Sequence, residues 1–431
     1  MEKYPILNER LFLRSPSINV CFRAVIEGVF DRSIIEEAFK KVSIKHPLLH
    51  CFVEKDNNYA WLVQNNSFIS IEYYKSNELD WQTWYKKTDN IPFGISQGPL
   101  VKFCVITDIN TEIIVLGHHI IGDGIGYLNL VKDILLALDN RIELTPQLPP
   151  YKLTDRKFKK TVLLTSSVQF YANYLNKKWK KSCVQFSEND YLAFFESYRN
   201  KYKPNLVIVS IEGESLTNLL KKSKSNGLTI NEIIASAFSL AVMEVFKCKE
   251  IGLGVAVNIR NELISEPNDC MGNFVSGILV KVHYKPSNDF ISNAKIIAAI
   301  LKNQLENKKN RHFVVHFLNM FDSDLIESIM FAAYGGFNHP VSKKIAKLIG
   351  EQKRKKVLGI SNLGRYEFYC YDNFKVMDIQ FIEPAFPANA ITVGIITVNS
   401  KMNLCIRYNE GEIKTEVIRN IYEKGIELLK I

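Results

Sequence analysis

The chain has 431 residues, 47% of them hydrophobic, and a formal net charge of +10. This composition excludes disordered and fibrous proteins and predicts a globular chain of two domains, or of one large domain in two halves. No stretch approaches the roughly 18 uninterrupted apolar residues of a membrane helix, and the polar start lacks the apolar core of a signal peptide. We therefore expect a cytoplasmic protein without membrane contact.

Neither the basic residues nor the cysteines predict a bound ligand. The lysine-rich runs fall on separate predicted elements, without a nucleic-acid-binding motif, and predict solvated faces and no nucleic-acid partner. These runs are residues 156–160, 177–181, 221–224 and 353–356. The eight cysteines are scattered, mostly in apolar segments and never as Cys-x-x-Cys, which indicates reduced core thiols and neither disulfides nor a zinc site.

The first part of the chain alternates predicted strands and helices. Residues 19–29 are rich in β-branched and aromatic residues and predict a strand. The next helix can be capped by Asp31 or Ser33 and should end before Pro47, since proline disfavours helical geometry in the residue ahead of it. Apolar residues at helical spacing predict a helix from near Ile125. Apolar runs bounded by turn residues predict four further strands. The strands are residues 49–54, 61–63, 100–107 and 112–119.

A proline-containing, basic segment at residues 141–160 predicts an irregular linker. We place the boundary there, with an N-terminal half at 1–160 and a C-terminal half at 161–431. Thr229 and Glu232 form a capping box that opens a buried, alanine-rich helix. The other predicted elements are helices 162–180, 215–224 and 291–305 and strands 206–212, 251–259, 275–283, 391–399 and 401–408.

The most specific string is His118-His119-x-x-x-Asp123-Gly124, which lies where a strand ends and a helix begins. Neighbours on a strand point to opposite faces, so only one histidine can line a given cavity. Asp123 can orient the loop through an ion pair, and Gly122 and Gly124 permit a tight backbone. A neutral imidazole can take the proton of an alcohol or amine that attacks a thioester and return it to the departing thiolate.

Three other interpretations of the histidine pair are open. A metal site needs a third protein ligand, and the spacing of Asp123 fits poorly, so we predict no metal. A hydrolase of the Ser-His-Asp type would carry a Gly-x-Ser-x-Gly elbow, which is absent. The pair can also be purely structural. The general base remains the favoured interpretation.

With these residues the chain resembles the superfamily of chloramphenicol acetyltransferase-like enzymes. That group includes condensation domains of nonribosomal peptide synthetases, alcohol acetyltransferases and polyketide-associated acyltransferases. The motif lies in the first third of a double-length chain, as in members with two fused halves. Weaker matches are Lys45-His46-Pro47-Leu48-Leu49-His50, Pro92-Phe93, Gly98-Pro99-Leu100, Asn258-Ile259-Arg260, Gly272-Asn273-Phe274-Val275-Ser276 and Ser361-Asn362-Leu363-Gly364.

The resemblance implies an α/β fold of two chloramphenicol acetyltransferase-like sandwich halves around a central active-site tunnel. It implies that His119 is the general base, that Asp123 pairs with Arg260, and that Ser361 or Asn362 donates to the oxyanion of the tetrahedral intermediate. The supporting residues of the site are His118, Asp123, Gly124 and Arg260.

The expected function is acyl transfer from an acyl thioester to a hydroxyl acceptor. The donor is acyl-coenzyme A or an acyl group on phosphopantetheine, and no permanently bound cofactor is expected. The expected partners are a small-molecule acceptor and an acyl or peptidyl carrier protein. The alternative is a free-standing condensation enzyme that forms an amide. A third class, a catalytically silent binding protein, is opposed by the intact motif.

Overall fold

The computed structural model describes residues 3–56, 59–65, 69–147, 157–160, 164–348, 357–368, 371–385 and 389–430. Most of the predicted linker, Arg156, the basic run 353–356 and Cys370 lie outside these residues. The described part forms a mixed α/β fold in two halves, as predicted. The boundary at residue 160 stays a prediction.

The N-terminal half is built on a mixed sheet with helices on both faces. Its strands are Lys3–Pro5 (β1), Asn19–Glu27 (β2), Cys51–Asp56 (β3), Tyr59–Gln64 (β4), Ile71–Lys75 (β5), Val101–Thr107 (β6) and Asn110–His118 (β7). Its helices are Arg32–Lys45 (α1), Trp81–Asp89 (α2) and Gly124–Leu138 (α3). The central part of β7 is covered on both faces, and its residues from Ile113 to Leu116 are all apolar.

The C-terminal half has its own mixed sheet. Its strands are Lys203–Glu212 (β8), Glu250–Asn258 (β9), Val275–His283 (β10), Val357–Tyr366 (β11), Val376–Ile382 (β12), Ile391–Val398 (β13) and Lys401–Glu410 (β14). Its helices are Ser166–Lys180 (α4), Glu188–Lys201 (α5), Gly213–Ser225 (α6), Ile230–Val245 (α7), Phe290–Glu306 (α8), Lys308–Leu318 (α9), Ser323–Ala333 (α10), Pro340–Leu348 (α11) and Thr415–Lys430 (α12). The sheet order is β10-β9-β11-β13-β14-β8.

One strand of the C-terminal half completes the sheet of the other half. β12 pairs antiparallel with β2, with Ile382 opposite Cys21, and the N-terminal sheet has the order β12-β2-β7-β6-β5. β1, β4 and β3 form a separate small sheet. The chain then returns to its own half in β13. The two halves are therefore joined by main-chain hydrogen bonds as well as by side chains.

Most sequence predictions agree with these elements within a few residues. The capping box of Thr229 and Glu232 is present at the start of α7, and α1 ends at Lys45, before Pro47. Asp31 is the N-cap residue of α1 but makes no side-chain capping bond. The sequence analysis gave no bounds for helices α2, α5 and α9 to α12, for strands β1, β5 and β11, or for the crossover strand β12.

Two other sequence expectations can be compared with the described residues. Seven cysteines are described and all are free; five of them are buried, which confirms the prediction of core thiols for those five. The five are Cys21, Cys51, Cys104, Cys270 and Cys405. By length and composition, none of the described helices alone could cross a membrane, and only α6 and α7 together, bent by 99°, pass that test.

Candidate functional site

The histidine pair lies in the turn between β7 and α3, at the junction of the halves. β7 ends at His118, and Asp123 is the N-cap residue of α3. The hydroxyl of Tyr127 donates to the carbonyl oxygen of His118 at 2.9 Å and so attaches the helix to the end of the strand. This is the strand–turn–helix position that the sequence predicted.

The structure gives Gly124 a different role from the one that the sequence suggested. Neither Gly122 nor Gly124 is among the residues with positive φ, so a left-handed backbone does not explain them. A Cβ at Gly124 would lie 2.9 Å from Cδ2 of Leu363 in β11. The glycine therefore allows the C-terminal half to approach the histidine turn closely.

The imidazole of His119 is held between two side chains from different parts of the chain. Asn273 places Nδ2 at 2.9 Å from His119 Nδ1 and donates from Nδ2 to the carbonyl oxygen of His119 at 3.3 Å. The ring of Phe12 stacks on the imidazole, with centroids 4.6 Å apart. Burial lowers the pKa of His119 from its ordinary value, although Asp123 and Glu9 oppose this shift. The ring is therefore neutral at pH 7.

His118 lies in a different environment, within the N-terminal half. Its side chain is fully enclosed, and the edge of its ring packs against Phe93 at 5.8 Å between centroids. His118 Nδ1 accepts from the backbone N–H of Ile120 at 3.2 Å. Burial and the neighbouring charge of His119 lower the pKa of His118 to about 3. A permanently neutral, packed ring is suited to supporting the turn.

Asp123 and Arg260 form a buried, bidentate ion pair between the halves. Arg260 donates from Nη1 to Oδ2 at 2.7 Å and from Nη2 to Oδ1 at 2.8 Å. The carboxylate also accepts from the backbone N–H groups of Gly126 and Phe274, each at 2.8 Å. Burial alone would raise the pKa of Asp123, but Arg260 and these hydrogen bonds outweigh it and lower the pKa. The pairing implied by the resemblance is thus present, and it connects the histidine turn to the segment between β9 and β10.

Ser361 and Asn362 lie on β11, next to the strand residue that contacts Gly124. The register of β11 with β13 shifts after Asn362, so strand alternation alone does not place Ser361 and Leu363 on one face. Asn362 Oδ1 accepts from the N–H of Gly364 at 2.9 Å. Ser361 is buried and has no such local partner among the described residues. Of the two candidate oxyanion donors, the structure favours Ser361.

The described cavities do not include an open channel at His119. One of about 340 Å³ is lined by Leu13, Arg14 and Lys55, among others, and one of about 460 Å³ lies beside Arg199. Neither is lined by His118 or His119, so the central tunnel stays a prediction. No group of three or more described His, Cys, Asp or Glu residues is arranged to hold a metal ion.

Sequence reasoning missed two residues that contact the imidazole. Asn273 stood in the string Gly272-Asn273-Phe274, which carried part of the resemblance, but nothing in the string assigned it a contact. Phe12 follows the 3-10 turn Asn8–Leu11, far from the motif in sequence. Only the tertiary structure brings them together with His119.

Phe12 covers one face of the imidazole, and the effect of its removal should be measurable without any substrate. We expect Phe12→Ala to raise the pKa of His119 towards its ordinary value, because the ring then gains contact with water. Modification of His119 by diethyl pyrocarbonate, followed by peptide mass spectrometry, should become faster because the reagent can then reach the uncovered face of the ring. Phe170→Ala, at a phenylalanine that is 75% exposed, is the matched control. Equal rates in both variants would contradict a covering role for Phe12.

Together, these features define a two-half α/β protein that places a neutral histidine where its halves meet. The family model described as "Condensation domain" matches residues 9–313, which is more than half of the chain. The chain belongs to the condensation domain family. The predicted membership of the chloramphenicol acetyltransferase-like superfamily is thereby confirmed.

Individual relatives are distant in sequence but close in fold. The chain is 23% identical over 336 residues to bacitracin synthase 2 of Bacillus licheniformis, covering 71% of this chain but only 12% of the synthase. TRI3 trichothecene 15-O-acetyltransferase from Fusarium sporotrichioides has a similar structure, with a TM-score of 0.69 and 12% identity over 99% of this chain and 95% of that one. The starter condensation domain of rhizomide synthetase RzmA, in complex with C8-CoA, has a TM-score of 0.59 and 14% identity over 98% and 91% of the two chains. These structures confirm the two-half fold.

Proposed function

We propose that this protein transfers an acyl group from a thioester to a hydroxyl acceptor, with His119 as the general base. The observation that carries the proposal is the state of that imidazole. It is neutral because burial lowers its pKa, it is oriented by Asn273, and its turn is held by the ion pair of Asp123 and Arg260. A neutral, positioned imidazole suits proton abstraction at pH 7.

The proposed reaction needs no covalent enzyme intermediate. His119 accepts the proton of the hydroxyl as its oxygen attacks the thioester carbonyl, and a C–O bond forms. The tetrahedral oxyanion then collapses, the C–S bond breaks, and the thiolate takes the proton back from the imidazolium. The hydroxyl of Ser361 is the candidate donor to the oxyanion. Holding donor and acceptor together supplies much of the acceleration.

We further propose that the donor is acyl-coenzyme A or an acyl group on a carrier protein, used as a substrate and not as a resident cofactor. A related starter condensation domain is known in complex with C8-CoA, which supports a coenzyme A thioester here. We propose a cytoplasmic location, without nucleic-acid or membrane partners.

Product analysis tests the proposal directly. The protein is incubated with acetyl- and octanoyl-coenzyme A, or with the same acyl groups on a carrier protein, together with a panel of alcohols and amines. We expect an ester product and free thiol in equal amounts, detected by mass spectrometry and a thiol reagent. Thioester loss no faster than in buffer, with every donor and acceptor pair, would refute acyl transfer.

Amide formation is the second candidate function. It is favoured by the match to the condensation domain family and by the similarity to a bacitracin synthase. The chemistry at His119 is the same, because an amine also loses a proton as it attacks. The incubations with amines in the same experiment distinguish ester formation from amide formation. An amide product without any ester would refute the first proposal and support the second.

Asn273 should decide which ring nitrogen of His119 is free to act as the base. With Asn273 Nδ2 facing Nδ1, as in the structure, Nδ1 accepts and Nε2 carries the ring proton; rotation of the amide by 180° would place the ring proton on Nδ1 and leave Nε2 as the acceptor. Asn273→Asp offers only an acceptor and adds a negative charge. We expect it to retain activity and to move the acid limb of the pH–rate profile upward by roughly 1 to 3 pH units.

Asn273→Leu completes this test, because it offers the ring no polar partner. We expect it to lower kcat by about tenfold or more, with little change in KM, since the ring loses its orientation. If Asn273→Asp and Asn273→Leu gave the same pH profile as the unaltered protein, the orienting role of Asn273 would be ruled out.

A further inference from the structure

Glu383 is a carboxyl group of the crossover segment that the proposed mechanism does not use. It is the first residue after β12, where the chain leaves the N-terminal sheet. Its Oε2 is buried and has no hydrogen-bond partner in the described part of the chain. The residue as a whole is only half-buried, but a buried polar atom without a partner is costly, and a ligand can supply the missing contact.

The register of the N-terminal sheet places Glu383 at the same end of the strands as the histidine pair. β12 and β7 both pair with β2, with Ile382 opposite Cys21 on one side and His118 opposite Asn19 on the other. Two strand spacings separate the main chain at Glu383 from that at His119, a distance on the order of 10 Å. A short molecule can span this distance.

The faces of the strands also agree. Phe381 of β12 and Phe22 of β2 stack on the side of the sheet where α3 begins, and a Cβ at Gly124 would lie 3.2 Å from the ring of Phe381. The turn that carries His119 leads into α3 on this same side. A Cβ at Gly394, whose register neighbour in β11 is Ser361, would lie 3.1 Å from the backbone nitrogen of Glu383. The main chain of Glu383 is thus close to β13, beside the strand that carries the candidate oxyanion donor.

The charges at this end of the N-terminal sheet favour a cation as the partner of Glu383. Arg260 is neutralised by its bidentate pairing with Asp123. The charge of Glu9 partly opposes the lowering of the pKa of His119 by burial, so a negative charge lies near the histidine turn. A carboxyl oxygen without a hydrogen-bond partner among the described residues forms its strongest hydrogen bonds with a cationic donor.

We propose that Glu383 recognises the acceptor, and that the acceptor carries a protonated amine a few atoms away from the nucleophile that His119 deprotonates. This inference rests on the proposed acyl transfer and names its substrate class, a short amino alcohol or diamine. The ammonium group supplies the hydrogen-bond donors that Glu383 Oε2 lacks.

The protonation state of Glu383 without a bound acceptor is compatible with this role. Burial raises the pKa of Glu383 to about 8, so the group is largely protonated at pH 7 when no cation is present. An ammonium ion beside it stabilises the charged form and lowers its pKa again. Binding of the cationic acceptor should therefore release a proton.

The test compares 5-amino-1-pentanol with its neutral counterpart 1,5-pentanediol as acceptors for octanoyl-coenzyme A. We expect the amino alcohol to have the higher kcat/KM, by about 10- to 100-fold. Glu383→Gln should abolish this preference by raising KM for the amino alcohol while kcat changes little. Glu367→Gln is the matched control, because Glu367 is exposed and pairs only locally, with Arg365 at 2.7 Å. If Glu383 had a purely structural role, Glu383→Gln would change kcat/KM by the same factor for both acceptors.

Calorimetry separates a failure of this inference from a failure of acyl transfer. The two probes are titrated without a donor into the unaltered protein, Glu383→Gln and Glu383→Ala, in phosphate and in Tris buffer. We expect the amino alcohol to bind the unaltered protein, and we expect this binding to release up to about one proton from the protein. Neither variant should release this proton. Equal binding of the two probes to the unaltered protein, or an amine preference that survives in the variants, would overturn the proposal even if esters are formed.

Discussion

Replacing His119 by alanine should lower kcat/KM for acyl transfer by about 100- to 10,000-fold, the usual contribution of a positioned general base. The fold should survive, because the imidazole makes its contacts through one ring nitrogen and one stacked face. Steady-state thiol release, with the best donor and acceptor from the product screen, measures this loss. Thermal unfolding of the same sample shows whether the variant is folded.

His283→Ala is the control for this variant, since His283 lies on β10 with 56% of its side chain exposed. The pH profile adds an independent readout. The active form is the neutral imidazole, so activity should fall as the pH drops through the pKa of His119, and burial puts that acid limb below pH 6.5. A folded His119→Ala protein with unchanged activity would end the assignment of His119 as the base.

Replacing Arg260 by methionine should lower the free energy of unfolding by about 3–5 kcal/mol, because it leaves the buried carboxylate of Asp123 without its counter-ion. Equilibrium unfolding in urea measures the change. We expect activity to fall as well, since Asp123 caps α3 beside His119 and also accepts from the N–H of Phe274, in the segment that carries Asn273. Asp123→Asn should have a similar cost, because it leaves a buried guanidinium uncompensated.

The double variant, with Asp123→Asn and Arg260→Met together, should be more stable than the sum of the two single changes predicts, because neither buried charge is then left alone. Arg32→Met is the matched control, since Arg32 and Glu36 form an exposed ion pair at 2.8 Å, and its loss should change the free energy of unfolding far less than the loss of the buried pair. Additive effects of the two buried substitutions would show that the pair is not coupled.

The opposing possibility, a silent binding protein on this fold, gains some support from the covered imidazole. Phe12 lies over the ring, and the 3-10 turn before it is attached to α10 by the buried ion pair of Arg10 with Asp324. A covered ring that the Phe12 variant can expose is, however, compatible with catalysis after local opening. The product screen therefore distinguishes a covered enzyme from a binding protein.

The sequence was sufficient to predict the local part of the site. The turn from His118 to Gly124 follows from a strand pattern that ends in a helix start, and both signals come from residues close together in the chain. The pairing of Arg260 with Asp123 came only from the resemblance. No periodicity connects two residues that are 137 positions apart.

What the sequence by itself determined is therefore many of the strands and helices, the five buried cysteines and the histidine turn, because neighbouring residues set hydrophobic periodicity and capping. The tertiary structure alone decided that β12 crosses into the other sheet, that Phe12 and Asn273 contact His119, and that Gly124 lies close to Leu363. Each of these depends on packing between segments far apart in the chain. Such contacts are chosen by the shape of the whole core and leave no local pattern in the sequence.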